Sequence, residues 1–354
     1  MRRAVTPLAG ELGQPIVNYY TQVAIGTPEQ IFNIQFDVDL ADSFIPERGG
    51  MLADWLGYLH HSNGYSAELS TTSRLAGLAE RVELNYQQCR LTGKKFTDSV
   101  RFPQAELNST LIEFEQDFIS VSKASNRQFK DLPVDGYFGL PSTNVSRHGI
   151  VNPLVLMANN QLISYAWISF WFDSNQGSDG GHILFGDYNI NHAYAPISTH
   201  DVTENPEGRW ALNLRSVSID QHRISIGCDK IACQAVLSTG RSDIYGPRDE
   251  VYKLYHELGV IKESLPLIDC RRINELPPIE FIIDEAQYTL PPDLFIRRLP
   301  DERLFKNETC YVAILPHDEY HPRQWILGTN FMIRYYTIFI LAYRKVGFAL
   351  SKHP

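Results

Sequence analysis

The sequence of 354 residues contains no apolar run long enough to span a bilayer. The richest stretch, residues 325–343, is interrupted by Arg334 and by other polar residues. Positive charge is also scarce, because 32 Lys and Arg residues stand against 41 Asp and Glu, for a net charge of −9. Binding to phosphate-bearing surfaces needs a surplus of basic residues on one face. The sequence therefore predicts a protein that binds neither membranes nor nucleic acid.

The first residues, MRRAVTPLAGELGQP, lack the apolar segment of a secretory signal. The chain nevertheless carries three acceptor sequons for N-glycosylation, at Asn108, Asn144 and Asn307. Such sequons often arise by chance, so they carry weight only together with the cysteine pairs described below. We therefore expect a secreted, extracellular glycoprotein in a mature or trimmed form.

Cysteine is sparse, with five residues in the chain. Cys228 and Cys233 are close enough to close a small loop, and Cys270 and Cys310 can close a longer one. If both pairs form, the compartment is oxidising, which agrees with secretion. Cys89 is then left unpaired.

Patterns that bind metals or cofactors are also missing. No Gly-rich loop followed by Lys and Ser or Thr is present to hold a phosphate. The histidines of HDEYH, at 317 and 321, have the four-residue spacing of a helical zinc site, but they follow Pro316 and no helical pattern surrounds them. The pair His60 and His61 has no third ligand in view. We expect neither a metal nor a cofactor.

Short strand patterns dominate the rest of the chain. Most segments are short, rich in β-branched and aromatic residues, and bounded by Gly, Pro, Asn and Asp. Helical spacing of apolar residues is confined to 151–162 and 248–260. The sequence predicts a mainly β protein, and its length exceeds what one hydrophobic core usually supports.

An internal repeat indicates two related halves. IQF precedes Asp37 and AVL precedes Ser238, and each half later supplies an apolar pair before a glycine, at Gly139 and Gly328. Polar, glycine-containing stretches lie near the middle of the chain. We therefore predict an N-terminal lobe over residues 13–195 and a C-terminal lobe over residues 196–350.

Several motifs occur in the order in which they occur in one known family. These are YYTQVAIGTPEQIFNIQFD, VDGYFGL, HILFGDYN, CQAVLSTGRS, PPIEFIIDEAQYTLPP and WILGTNFMIRYYTIFILAYRKVGFA. The chain resembles the pepsin-like aspartic proteases, peptidase A1, from about residue 19 to residue 348. The resemblance implies a bilobal fold with two β-barrel-like lobes and an interlobe cleft, and disulfides between Cys228 and Cys233 and between Cys270 and Cys310.

The catalytic turns depart from that family. Its members contribute an Asp-Thr-Gly or Asp-Ser-Gly turn from each lobe, so that two opposed carboxylates share one proton and act as base and acid. Here Asp37 is followed by Val38 and Asp39, while the second turn reads Ser238-Thr239-Gly240. A serine hydroxyl does not titrate near working pH, so the second acid is lost. Leu40 also replaces a hydroxyl residue expected beside the first aspartate.

Three further positions differ. In the hairpin flap that covers substrate in the family, Tyr86 is kept. Gln87, Gln88 and Cys89 stand where two glycines and the residue between them would be, which predicts a bulkier tip. Cys89 is either a half-buried free thiol or an exposed tip thiol that joins two chains. Arg241 stands where a small hydroxyl residue is usual, and we expect it to pair with Asp37 or Asp39. Thr329 replaces an acid that often follows the late WILG motif.

We interpret the chain as a catalytically degenerate member, a pseudoprotease. It would bind a protein, peptide, glycan or other ligand through its cleft or its surface, as an inhibitor or decoy in one subtype. The alternative is a weakly active acid endopeptidase in which Asp37 alone activates water. Asp39 does not supply the missing partner, because it lies on the same side of the cleft as Asp37.

Overall fold

The structure is a computed structural model. It describes residues 2–6, 16–51, 64–77, 81–102, 112–126, 129, 132–143, 145–173, 180–205, 207–220, 222–224, 228, 233–260, 266–299, 309–317 and 323–353. The three sequons, His60, His61 and the part of HDEYH after His317 lie outside these residues. Predictions about them therefore remain predictions.

The first half of the chain forms one large sheet. Its strand order is β1-β2-β3-β9-β4-β8-β7-β5, with β6 paired to β7. The strands are β1 (Arg2–Thr6), β2 (Ile16–Ile25), β3 (Gln30–Asp37), β4 (Phe44–Pro46), β5 (Arg74–Leu75), β6 (Val82–Tyr86), β7 (Cys89–Arg101), β8 (Glu113–Ala124) and β9 (Gly136–Gly139).

The second half forms a corresponding sheet, in the order β19-β18-β13-β15-β23-β16-β22 with β14 paired to β13. Its strands are β13 (Ala211–Ile219), β14 (His222–Arg223), β15 (Cys233–Leu237), β16 (Ile244–Pro247), β18 (Ile279–Ile283), β19 (Ala286–Leu290), β22 (Ile314–His317) and β23 (Gln324–Leu327). The same half of the chain also forms a small three-stranded sheet, in the order β17 (Leu267–Asp269), β21 (Thr309–Val312) and β20 (Ile296–Arg298).

A central sheet joins the two halves. Its order is β11-β10-β24-β25-β12, with antiparallel neighbours throughout. The strands are β10 (Trp167–Phe172), β11 (Gly181–Phe185), β12 (Ser198–Asp201), β24 (Tyr335–Ile340) and β25 (Lys345–Leu350). Strands from both sides of residue 195 thus share one sheet, and the exact lobe boundary stays a prediction.

Helices are few and short in the described residues. They are α1 (Pro153–Asn159), α2 (Arg248–Leu258), α3 (Pro292–Phe295) and α4 (Thr329–Arg334), with 3-10 turns at Ala67–Leu69, Ile190–His192, Cys270–Glu275 and Leu341–Tyr343. The Asn152 side chain caps α1 by accepting a hydrogen bond from the Leu154 N–H. The two helices predicted from periodicity are confirmed with slightly shorter bounds, and within the described residues every helix is too short or too polar to cross a membrane.

The disulfides of the second half agree with the sequence. Disulfides join Cys228 to Cys233 and Cys270 to Cys310, as predicted. β21 and β22 are separated at Ala313. The Ala313 N–H donates to the Phe295 carbonyl just before β20 at 2.7 Å, and its carbonyl accepts from the Ile244 N–H of β16 at 3.1 Å. The mainly β prediction is confirmed.

The internal repeat is visible in how the two key turns are placed. β3 ends at Asp37 and pairs in parallel with β9, so that Asp37 lies opposite Gly139. β15 ends just before Ser238 and pairs in parallel with β23, which ends just before Gly328. Each turn therefore leaves the end of a buried strand beside a glycine-terminated neighbour, and the two halves present their turns to one another.

Candidate active site

Asp37 is fully buried at the junction of the two halves. Its Oδ1 accepts hydrogen bonds from the N–H of Asp39 at 2.9 Å and of Gly240 at 3.1 Å. Its Oδ2 accepts a hydrogen bond from the Tyr86 hydroxyl at 2.6 Å. The carboxyl group thus has hydrogen-bond donors from its own turn, from the opposite turn and from the flap hairpin.

The pKa of Asp37 is raised from 3.8 to about 6. Burial is the largest cause, and the nearby charge of Asp39 adds to it. The hydrogen bonds from Tyr86, Asp39 and Gly240 act in the opposite direction by favouring the ionised form. A carboxyl group with this pKa changes its charge in mildly acidic solution.

Ser238 lies where the internal repeat places the counterpart of Asp37. Its N–H donates to the Leu327 carbonyl at 3.1 Å, and its side chain is buried. The hydroxyl oxygen has no hydrogen-bond partner among the described residues. Among these residues, the carboxylate that acts electrostatically on Asp37 is that of Asp39, which belongs to the same turn.

Hydrogen bonds cross between the two turns in an asymmetric way. The Thr239 hydroxyl donates to the Phe36 carbonyl at 2.6 Å and accepts from the Val38 N–H at 3.1 Å. Val38 has no hydroxyl group, so its side chain makes no equivalent hydrogen bond to the backbone of the second turn. The Gln35 side chain instead donates to the Thr239 carbonyl at 2.7 Å.

The flap is closed over the turns. Gln87 and Gln88 form the two-residue turn of the β6–β7 hairpin, with φ angles of 44° and 66°. The Gln87 amide donates to the Tyr86 hydroxyl at 2.9 Å and to the Gly240 carbonyl at 3.1 Å. A methyl group added at Gly240 would collide with Asp37 Oδ2 and with the Tyr86 hydroxyl. The hairpin therefore fills the space directly above Asp37.

Asp39 has a partner that the sequence did not reveal. Arg209, just before β13, donates from Nε to Asp39 Oδ1 at 2.5 Å and from Nη2 to Oδ2 at 2.8 Å. Both side chains are at most 9% exposed. This bidentate pair corrects the expectation that Arg241 would pair with Asp39.

Arg241 is placed differently from the prediction. Its guanidinium carbon lies 4.7 Å from the ring centroid of Tyr245, a cation–π geometry, and the side chain is buried.

Leu40 packs in an apolar cluster with Phe44 and Tyr86, so the missing hydroxyl is replaced by hydrophobic contact. Thr329 begins α4 and is buried.

Cys89 is a buried free thiol and not an exposed one. It is the first residue of β7, paired with Tyr86, and its side chain packs in the same apolar cluster. Of the two alternatives for Cys89, the free thiol away from solvent agrees with the structure. The exposed thiol at the flap tip does not, because the tip consists of Gln87 and Gln88. A disulfide-linked dimer through Cys89 stays a prediction, and it would require this hairpin to open.

His317 gives no support to a metal site. It is buried at the end of β22, and its Nε2 lies 2.8 Å from the Gln324 carbonyl. Among the described residues, no group of three or more His, Cys, Asp or Glu side chains is arranged to hold a metal ion.

Comparison with known proteins identifies the family. A sequence model described as eukaryotic aspartyl protease matches residues 18–351. The chain belongs to the eukaryotic aspartyl protease family. This aspartyl protease family member is 27% identical to a renin of Echis ocellatus and 26% identical to cathepsin D of Rattus norvegicus, each over 337 residues, 94% of this chain and 80% of the relative. It is also 27% identical to pepsin II-1 of Oryctolagus cuniculus over 335 residues, 94% of this chain and 81% of the relative.

Sequence reasoning missed two residues of this aspartyl protease site. Arg209 lies 170 positions from Asp39 along the chain, in a segment without a recognisable motif. Gln35 lies between apolar neighbours in β3, which alternates apolar and polar residues, and its amide joins the Asn18 side chain to the Thr239 carbonyl. The one available signal was a polar side chain at an otherwise apolar strand end.

Proposed function

We propose that this aspartyl protease family member is a non-catalytic, secreted binding protein. It keeps the scaffold of the family and engages a protein, peptide or glycan through its surface, or through its cleft once the flap is raised. The observation that carries the proposal is the replacement of the second acid by Ser238. In addition, Asp37 already accepts a hydrogen bond from the Tyr86 hydroxyl.

Proton chemistry supports this proposal. Peptide hydrolysis by this family needs one group to accept a proton from water and another to donate one to the substrate carbonyl. Asp37 can serve as one of these groups, but the Ser238 hydroxyl does not ionise near working pH and so cannot act as the second acid or base. Asp39 is bound on both oxygens by Arg209, so its carboxylate is committed elsewhere.

The closed flap gives a second line of support. An attacking water must lie against the catalytic carboxyl group, and here the Tyr86 hydroxyl and the Gly240 N–H contact its two oxygens. Because Gln87 also bridges to Gly240, the hairpin must move before a substrate backbone reaches Asp37. These contacts favour ligand binding at other surfaces over turnover in the cleft.

The second candidate is a weakly active acid endopeptidase that uses Asp37. It is favoured by the raised pKa of this group, about 6, because such a carboxyl group exchanges protons in mildly acidic solution. Hydrolysis of a peptide by this route would need the flap to open. It would also need a second proton donor, supplied by the substrate or by water.

A cleavage assay separates the two candidates. The purified chain is incubated with denatured haemoglobin at acid pH, with and without pepstatin, beside an active pepsin and the variant Asp37→Ala. We expect no cleavage by the chain or by the variant. Pepstatin-sensitive cleavage that Asp37→Ala abolishes would overturn the proposal in favour of the endopeptidase.

A gain-of-function variant tests whether only the chemistry is lost. Ser238→Asp is combined with Val38→Thr, Asp39→Gly and Leu40→Ser, and Arg209→Met is added so that the buried guanidinium is not left without its partner. Recovered cleavage would show that the cleft still accepts peptides. Co-purification from the native secretion would then identify the natural ligand of the unmodified chain.

A further inference from the structure

A separate pocket lies between the turn after α1 and the turn after β11. Its volume is about 550 Å³, within the range of about 300–1,000 Å³ that is usual for small-molecule sites. Half-buried apolar side chains form part of its lining, among them Leu162, Ile163 and Phe185. None of the described lining residues belongs to the flap or to the turns at Asp37 and Ser238.

The wall formed by the β11 turn is rigid. Gly186 has a φ of 80°, and its N–H donates to the Trp167 carbonyl at 2.8 Å. A Cβ atom at Gly186 would lie 2.8 Å from the Ile163 Cβ, so the two walls meet there at close range. The Asp187 carbonyl accepts from the Ser169 hydroxyl at 3.0 Å, which ties the turn to the central sheet.

An aromatic stack borders the pocket. The Tyr165 ring lies 5.0 Å from the Trp167 ring at 25°, and Trp167 lies 6.4 Å from Tyr188 at 27°. Tyr165 lines the pocket and is 57% exposed. Because the indole supports one face of this ring, Tyr165 is held in place without being covered. An exposed aromatic ring of this kind binds cations as well as apolar groups.

The described lining of the pocket carries negative charge and no positive charge. Asp187 is the one charged side chain among its described lining residues, and its side chain is exposed. Asp187 Oδ1 accepts a hydrogen bond from the Tyr188 N–H at 2.8 Å, which fixes the orientation of the carboxylate. Gln161 and Ser164 add neutral polar groups to the lining. A carboxylate beside an aromatic ring and an apolar floor is complementary to a cation that carries an apolar body.

We propose that this pocket binds a small organic amine with an apolar body. The ammonium group pairs with Asp187 beside the Tyr165 ring, and the apolar body lies on Leu162, Ile163 and Phe185. The inference does not rest on the proposed function, because an active endopeptidase would carry the same pocket. Its failure is therefore distinguishable from a failure of the non-catalytic proposal.

The test uses three ligands of the same shape and different charge: phenethylamine, 2-phenylethanol and phenylacetate. Binding to the full chain is measured by calorimetry at neutral pH and low salt. We expect the amine to bind about two- to fivefold more tightly than the alcohol, the factor that an ion pair at an exposed carboxylate supplies. The acid should bind most weakly.

Matched variants locate the binding. Asp187→Asn should remove the preference for the amine, and Tyr165→Leu should weaken amine binding, whereas Asp201→Asn makes the same charge change at an exposed carboxylate outside the pocket and should alter neither. The proposal is overturned if the alcohol binds as tightly as the amine or if Asp187→Asn keeps the preference. It also fails if a neutral sugar such as methyl glucoside binds in their place, or if nothing binds up to about 10 mM.

Discussion

At the scale of single residues, Asp37 contributes a pH dependence to the stability of the fold. Burial raises the pKa of this group from 3.8 to about 6, so the folded chain binds the proton more tightly than the unfolded chain does. The contribution of Asp37 to the free energy of unfolding therefore falls as pH rises from about 4 to about 6, and it levels off above that.

We expect Asp37→Asn to remove this decline. The shift from 3.8 to about 6 corresponds to about 3 kcal/mol between the two ends of the window. Urea unfolding of both proteins from pH 3.5 to 7.5 gives the difference profile. If the two profiles run parallel across this window, Asp37 does not carry the effect.

Asp39 and Arg209 form a buried ion pair whose contribution to stability can be tested. Breaking a buried ion pair by removing one partner leaves an uncompensated charge, which costs about 3–5 kcal/mol. We expect Asp39→Ala to destabilise the chain by up to this amount. Arg209 keeps a hydrogen bond to Gln324 Oε1 at 3.1 Å and a 3.6 Å contact with the largely exposed Glu207, which compensate part of its charge. Arg209→Met in the same chain should recover part of the loss. Chemical denaturation measures both variants.

The matched control for that pair is Asp201→Ala. Asp201 pairs with Lys345, but its side chain is 81% exposed. Its loss should change the free energy of unfolding by less than about 1 kcal/mol, as for other surface pairs. Equal losses in Asp39→Ala and Asp201→Ala would contradict the role given to burial.

At the scale of elements, the β6–β7 hairpin is held down by polar contacts at its tip. We expect Tyr86→Phe to loosen it, because the hydroxyl bonds to Asp37 and to the Gln87 amide are lost together. A hydrogen bond to a charged group is worth about 1.5–3 kcal/mol, so amide exchange in residues 84–91 should accelerate by about tenfold or more.

Tyr65→Phe is the comparison for this experiment. Tyr65 is also buried and donates from its hydroxyl to Asp98 at 2.8 Å, but it lies outside the hairpin. Exchange in residues 84–91 should be unchanged in this variant. Hairpin exchange that responds equally to both substitutions would indicate general loosening of the sheet and not release of the tip.

The elements also show which features of the fold and the site could be predicted from the sequence. Short segments rich in β-branched and aromatic residues predicted a mainly β fold, and helical spacing of apolar residues predicted α2, because these signals are local. The substitutions at Val38 and Ser238 were readable for the same reason. The Arg209 pair, the burial of Cys89 and the closure of the flap depend on how distant strands pack, and a linear pattern does not contain that information.

At the scale of the whole molecule, the central sheet couples the two halves. β10 and β24 pair directly, although they are separated by more than 150 positions in the chain. Neither half buries its share of this sheet alone. We expect a single cooperative transition in calorimetry at neutral pH with intact disulfides, and two resolved transitions would contradict this coupling.

The hydrogen bonds between the halves lead to one more expectation. Trp210 donates from its indole to the Leu140 carbonyl at 2.7 Å, and Thr239 satisfies the backbone on both sides of Asp37. Each half thus carries donors and acceptors that only its counterpart can satisfy. Two separately expressed fragments divided near residue 195 should consequently reassemble without a covalent link, which would make this chain a candidate for fragment complementation.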